Sequence, residues 1–290
     1  MILVDNGGII PPPGDTQNMT AAITLEAMNL MDYAAMNVGW SDLSLGADSL
    51  KKEMSRANFP LLSSNLMYKD SKLSFGKKYV VRRVGNVRIG IIGLLSTKPP
   101  EDILPALEKG CLKHEMEKIS LGNVALADNL EIIPPEEALK KLIPEIREQA
   151  DFILLLSQCG YDATRSLVDK IEGIDMAISG SAIIPKEDET ALTPILPTAY
   201  QEGELGYVRL LMDGKSTKFV EQERKMIELD ELVAPDNLVE KITGEDIKET
   251  IIRKQKQKLE ADAKVLQKLS PIEYYQKLLK DKQVDIGGKK

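Results

Sequence analysis

Over the first two-thirds of the chain, short apolar runs alternate with helical stripes. Residues 2–5 are apolar until Asn6-Gly7-Gly8 interrupts them, which predicts a strand and a turn. Pro11-Pro12-Pro13-Gly14-Asp15 predicts a loop. From 16 to 31, Met19, Ile23, Leu25, Met28, Leu30 and Met31 recur at helical spacing. Residues 33–39 read as a second strand, 49–57 as a short helix and 60–67 as a third strand. Two β-rich runs, 77–84 and 87–95, flank Gly85-Asn86, a two-residue spacer that predicts a hairpin; the second run reads as a central strand.

Residues 98–133 have no clear period and read as an insertion or lid. A helix at 135–149, bent at Pro144, leads to the most apolar strand at 152–157. A helix at 162–171 and a strand at 175–179 follow, and runs at 194–197, 206–212 and 217–227 complete a β section. Beyond Pro235 the chain turns charged, with Ile242, Ile247, Ile251, Leu259, Ala263 and Leu266 at roughly helical spacing. Ser270-Pro271-Ile272-Glu273 starts a last helix ending near Lys282, with Ser at the N-cap, Pro at N1 and Glu at N3. Alternating βα units followed by β hairpins predict a layered α/β sandwich over 1–230 and a charged helical extension over 231–290. No GxGxxG, no Walker A sequence and no internal repeat is present.

Composition narrows the function. Aromatic residues are only 4% of the 290, so the core must be built from aliphatic side chains. A net charge of −7 with dispersed Lys and Arg argues against sequence-independent nucleic-acid binding, which needs a basic surface. No apolar run approaches the roughly 20 residues of a membrane-spanning helix. Met1-Ile2-Leu3-Val4-Asp5 has no basic leader or cleavage site and already reads as a buried strand, so upstream sequence is expected to have been removed or never present. Cys111 and Cys159 lie outside any CxxC pair; two buried free thiols are the simpler reading, and a disulfide between them stays open. The single histidine, His114, lies in the 98–133 stretch.

Four segments, in order and spacing, resemble the metallophosphatase (calcineurin-like phosphoesterase) domain of the 5′-nucleotidase family. Leu3-Val4-Asp5-Asn6-Gly7-Gly8 resembles its strand ending in Gly-Asp. The stretch from Tyr33 through Gly39-Trp40-Ser41-Asp42 to Gly46 is similar to its strand ending in Gly-Asn-His-Glu, and Pro60-Leu61-Leu62-Ser63-Ser64-Asn65-Leu66 to the strand after it. Leu154-Leu155-Leu156-Ser157-Gln158-Cys159-Gly160 resembles Leu-Ser-His-x-Gly. Gly173-Ile174-Asp175, followed by Met176-Ala177-Ile178-Ser179-Gly180-Ser181-Ala182-Ile183, resembles Gly-Ile-Asp before a strand and Gly-His-x-His. The resemblance covers about residues 1–230 and implies an α/β/β/α sandwich of mixed sheets.

It also implies a chemistry that the residues do not supply. Family members hold two divalent metals, which acidify a bridging water and clamp phosphoryl oxygens through Asp, Asn and His ligands. The metal-bridging Asp position is Gly8, the Asn position Trp40 and the catalytic His position Ser41; the later His is Gln158, and the last two are Ser181 and Ile183. The opening Asp-x-His of the family would precede residue 1. One histidine cannot furnish a His-rich centre. The expectation is a folded, non-hydrolytic binding or scaffold module with no catalytic residue, metal or cofactor. Two alternatives compete. One is a divalent-metal phosphoesterase or 5′-nucleotidase with an atypical or incomplete site, for which Asp5 and Asp42 are the residual carboxylates of a Mg²⁺ site. The other follows from Leu269-Ser270-Pro271-Ile272-Glu273-Tyr274-Tyr275, which resembles an exported bacterial branch whose domain often precedes multihaem cytochrome sequence. That implies a periplasmic or extracytoplasmic location and a protein partner, a multihaem cytochrome; without CxxCH the chain itself binds no haem covalently.

Each position also has a plainer reading. Asp5 is a turn or cap residue and Asp42 an N-cap or loop carboxylate. Trp40 fills the space left by the metals rather than stacking on a ligand. Gln158 and Ser181 hydrogen-bond to loop backbone. Ser41 and Ser157 have no histidine placed to activate them.

Overall fold

A computed structural model describes residues 1–9, 17–98, 129–180, 193–198, 204–212 and 219–229, with the single positions 237 and 239. The helices expected beyond Pro235, most of 98–133, and Cys111, His114, Ser181 and Ile183 lie outside the described residues. The chain divides into two compact units, Met1–Ala234 and Pro235–Lys290, and the sheets lie in the first.

The run before Asn6 forms β1 (Val4–Asp5), which pairs in parallel with β2 (Ala35–Asn37), itself parallel to β3 (Leu61–Leu62). Parallel neighbours need long crossovers. Helix α1 (Gln17–Leu30) lies on the first and α2 (Ala47–Met54), after a 3-10 turn at Asp42–Leu45, on the second. The second sheet has the order β10-β9-β8-β6-β5. Its edge is the expected hairpin, β5 (Tyr79–Val84) antiparallel to β6 (Val87–Leu95). Next come β8 (Phe152–Gln158), β9 (Met176–Ser179) and β10 (Ile195–Pro197), all parallel to β6. Helix α3 (Pro135–Arg147), with Pro144 inside it, precedes β8, and α4 (Tyr161–Lys170) joins β8 to β9.

Side-chain alternation sorts the core into layers. Ala35 and Leu62 of the first sheet meet Ile91, Phe152, Leu154, Leu156 and Met176 of the second in a core between the sheets. The intervening residues Ile92, Ile153, Leu155 and Ala177 turn outward to Leu139, Leu142 and Ile146 of α3 and Leu167 and Val168 of α4. On the other side, Met36 and Val38 pack against Leu25 and Met28 of α1 and Leu50 and Met54 of α2. The result is the expected α/β/β/α sandwich.

Two expectations need correction. Residues 60–67 are not one strand. After Leu62 the backbone breaks at Ser63-Ser64-Asn65, where the Ser63 N–H donates to the Lys77 carbonyl and the Ser64 N–H to that of Gly93. The chain then re-forms as β4 (Leu66–Tyr68). The supposedly periodless 98–133 stretch ends in a strand, β7 (Leu130–Ile132), antiparallel to β4. Three residues are too few to show a period, and β7 exists because β4 offers its edge. A further hairpin, β11 (Glu204–Met212) with β12 (Phe219–Glu228), adds Val208 and Leu210 to the core between the sheets. Among the described residues, no helix is long and apolar enough to cross a membrane.

An ion pair ties the start of β6 to the lead-in of β8. Asp151 accepts from Arg88 Nη2 at 2.7 Å, Nε at 3.1 Å and the backbone N–H at 2.8 Å. The Arg88 guanidinium pulls the Asp151 carboxyl down to about 2. A depressed folded-state value means that the stabilisation is present above the unfolded carboxylate value, about 3.9, and is lost as pH falls through about 2. Urea midpoints of wild type and Asp151→Asn should therefore differ modestly at pH 6, as expected of a solvent-screened pair, and converge through that acid window. A gap that stays constant with pH would contradict the ion pair.

Candidate functional site

Each strand that the sandwich aligns ends in a short polar segment, and these segments meet. Asn6, directly after β1, is buried; its Nδ2 donates to the Ser157 carbonyl at 3.0 Å and the Ile178 carbonyl at 3.4 Å. It thereby links the first sheet to β8 and β9. Asn37, closing β2, is fully buried. Its Nδ2 reaches the carbonyls of Leu94 and Leu156, each at 3.2 Å, and Asn6 Oδ1 at 3.4 Å. Gln158, closing β8, donates from Nε2 to the Asn6 carbonyl at 2.7 Å. Asn65, in the break after β3, donates to the carbonyls of Leu95 (2.6 Å) and Ile133 (3.0 Å) and accepts the Leu95 N–H at 3.0 Å. Burying an amide is costly unless it is bonded, and the NH2 groups of these four are bonded by stapling strand ends of different sheets together, while the buried Asn37 Oδ1 has no hydrogen-bond partner among the described residues.

The loops after β1 and β2 touch backbone to backbone. A Cβ at Gly7 would lie 2.5 Å from the Asn37 carbonyl oxygen and 2.6 Å from the Gly39 nitrogen; one at Gly39 would lie 2.5 Å from the Gly8 nitrogen. Gly7 and Gly8 both have φ of +88°, a conformation open to glycine. Asp42, wholly buried, locks the contact: its Oδ2 accepts the N–H groups of both Gly8 and Gly39 at 2.8 Å. Asp5 accepts the Gly7 N–H at 2.7 Å. Burial pushes its carboxyl above the ordinary aspartate range, against the opposing pull of that N–H.

Trp40 turns into the outer core with Val38, Leu43 and Leu95, and its indole N–H donates to Ser96 Oγ at 2.8 Å. Ser41 lies beside the Gly8 turn, its Oγ 3.4 Å from where a Gly8 Cβ would stand. Ser157 Oγ is 2.7 Å from Thr164 Oγ1. Cys159 is a buried free thiol that burial pushes up to about 11, far from the thiolate a nucleophile needs.

Gly8, Trp40, Ser41 and Gln158 thus sit with Asp5 and Asp42 around the same strand ends. No three His, Cys, Asp or Glu side chains converge anywhere among the described residues. The Asp42 and Asp5 oxygens named above are turned onto backbone N–H groups. These residues do not fit a dinuclear metal centre. Asn6, Asn37 and Asn65, the side chains that hold the site together, were not singled out in the sequence. Their signal was an asparagine at or just beyond the end of an apolar run, three times over.

No family model matches the chain. Over 216 residues it is 28% identical to a 2′,3′-cyclic-nucleotide 2′-phosphodiesterase/3′-nucleotidase of Yersinia enterocolitica, covering 64% of this chain and 30% of that protein. Over 165 residues it is 27% identical to a 5′-nucleotidase of Vibrio vulnificus, covering 55% of this chain and 26% of that one. The calcineurin-like phosphoesterase YfkN from Bacillus subtilis superposes with a TM-score of 0.64 at 19% identity, over 87% of this chain and 84% of that structure. The chain resembles nucleotidases of the 5′-nucleotidase family in sequence and has the calcineurin-like phosphoesterase fold. It spans under a third of the length of these two curated relatives. The strands and crossovers of the calcineurin-like phosphoesterase fold are in place. At the strand ends, Gly8, Trp40, Ser41 and Gln158 stand where the resemblance puts metal ligands.

Proposed function

We propose that this 5′-nucleotidase-family domain does not hydrolyse phosphoesters and serves as a binding or scaffold module. The observation that carries this reading is the Asp42 clamp. One carboxylate oxygen accepts the Gly8 and Gly39 N–H groups, so that oxygen of one of the two residual carboxylates is committed to loop backbone. The four buried amides support the same reading, because their NH2 groups are taken up by protein acceptors at the strand ends. A protein partner and an extracytoplasmic location belong to the proposal and rest on the family resemblance.

The test is metal analysis of the purified full chain, alongside phosphatase assays with a nucleoside monophosphate and a cyclic nucleotide in added Mn²⁺. The expected result is substoichiometric metal and no turnover above the Mn²⁺ blank. Stoichiometric, tightly held metal with turnover that Asp5→Asn or Asp42→Asn abolishes would overturn the proposal in favour of a phosphoesterase with an atypical site.

A further inference from the structure

We propose that the outward face of the β11–β12 hairpin is a self-association surface whose occupant is the same face of a second copy of this chain. Val208 and Leu210 of β11 turn inward to the core between the sheets, so alternation sends Leu205, Tyr207, Arg209 and the exposed Leu211 outward. Leu205 is 37% exposed, and so is Ile227 across from it on β12. Among the described residues the hairpin stands as a two-stranded sheet, an arrangement that is marginal until something covers its apolar positions.

The cross-strand register identifies the occupant. Leu205 pairs with Ile227, Tyr207 with Lys225, and Arg209 with Glu223. The Glu223 and Lys225 side chains also pair with each other, which places them on one face. Consider two hairpins stacked face to face about a two-fold axis parallel to the strands. The rotation carries each β11 residue over the β12 residue that was its own cross-strand neighbour, now in the other copy. Leucine then covers isoleucine, the Tyr207 ring meets the Lys225 ammonium, and Arg209 meets Glu223, each twice. A pattern complementary across the two strands becomes self-complementary across the dyad, which is what an isologous dimer requires. Six side chains from each copy bury less than the roughly 1,200 Å² of a stable interface, so the dimer is weak, with a dissociation constant on the order of 100 µM.

Sedimentation velocity of the full chain, from about 5 µM to about 1 mM, should show a monomer–dimer equilibrium across that range. Arg209→Glu and Glu223→Arg should each abolish it, since like charges then face each other. An equimolar mixture of the two variants should associate again, because the acidic face of one meets the basic face of the other. That rescue cannot arise from a merely structural role of either residue, and circular dichroism confirms that each variant is folded. A chain that stays monomeric throughout, a dimer that both variants leave intact, or single variants that fail to associate when mixed would each overturn the proposal.

Discussion

Asn37→Asp is expected to lower the unfolding free energy by about 3–5 kcal/mol at pH 7. Asn37 is fully buried, and its amide N–H groups face three acceptors: the carbonyls of Leu94 and Leu156 and Asn6 Oδ1. An ionised carboxylate of the same size would turn acceptors toward acceptors and bury a charge without a counter-charge. A Cβ at Gly93 would already lie 2.4 Å from Asn37 Oδ1 and 2.7 Å from Leu62 Cβ, so the sheets are in close contact at this point. Against a typical total stability of about 5–15 kcal/mol, the loss is a large share of what holds the domain folded. Its pH dependence has a definite sign. Burial raises the folded-state pKa of the introduced carboxyl, so the penalty is complete above that raised value and shrinks as pH falls toward the unfolded value, about 4. Urea titrations of variant and wild type at pH 7 and pH 5 measure it. Equal midpoints at pH 7 would mean that Asn37 does not staple the sheets.

The second large effect is expected at the clamp. Asp42→Ala leaves the Gly8 and Gly39 N–H groups without the oxygen that both now use, and adds a small cavity. The cost is about 3 kcal/mol, from two stranded donors at roughly 1–3 kcal/mol each with partial relief by water. Asp42→Asn keeps a neutral oxygen in place and should lose about half as much. The effect should be local as well as global. Hydrogen exchange at the Gly8 and Gly39 amides should quicken before that of the β8 amides, because the β1 and β2 loops separate first while the second sheet keeps its ladder. Uniform acceleration across the domain, or none, would count against the clamp. The same variant bears on function: loosening the loops is not expected to create metal binding, since Asp5 is then the single carboxylate named at these strand ends.

The regular parts of the fold were legible because their causes are local. A short apolar run such as 152–157 reads as a buried strand, and a glycine-containing two-residue spacer such as Gly85-Asn86 reads as a hairpin turn, as β8 and the β5–β6 pair bear out. The order of four motif segments led from those elements to the family, and one histidine in 290 residues was enough to deny the chain a His-rich centre. Tertiary structure alone decided the rest. The break at Ser63-Ser64-Asn65 and the strand at Leu130–Ile132 follow from carbonyls and edges supplied by distant segments. Asn37 looked like one more polar residue after an apolar run, and became a staple because Leu94 and Leu156 arrive from 57 and 119 positions away. Asp42 read as a loop carboxylate or N-cap. Only the folding of β1 beside β2 gave it the Gly8 N–H to hold, 34 residues upstream. Composition and local pattern fix which elements form; which polar groups fill the strand ends is set by long-range contacts that no local pattern encodes.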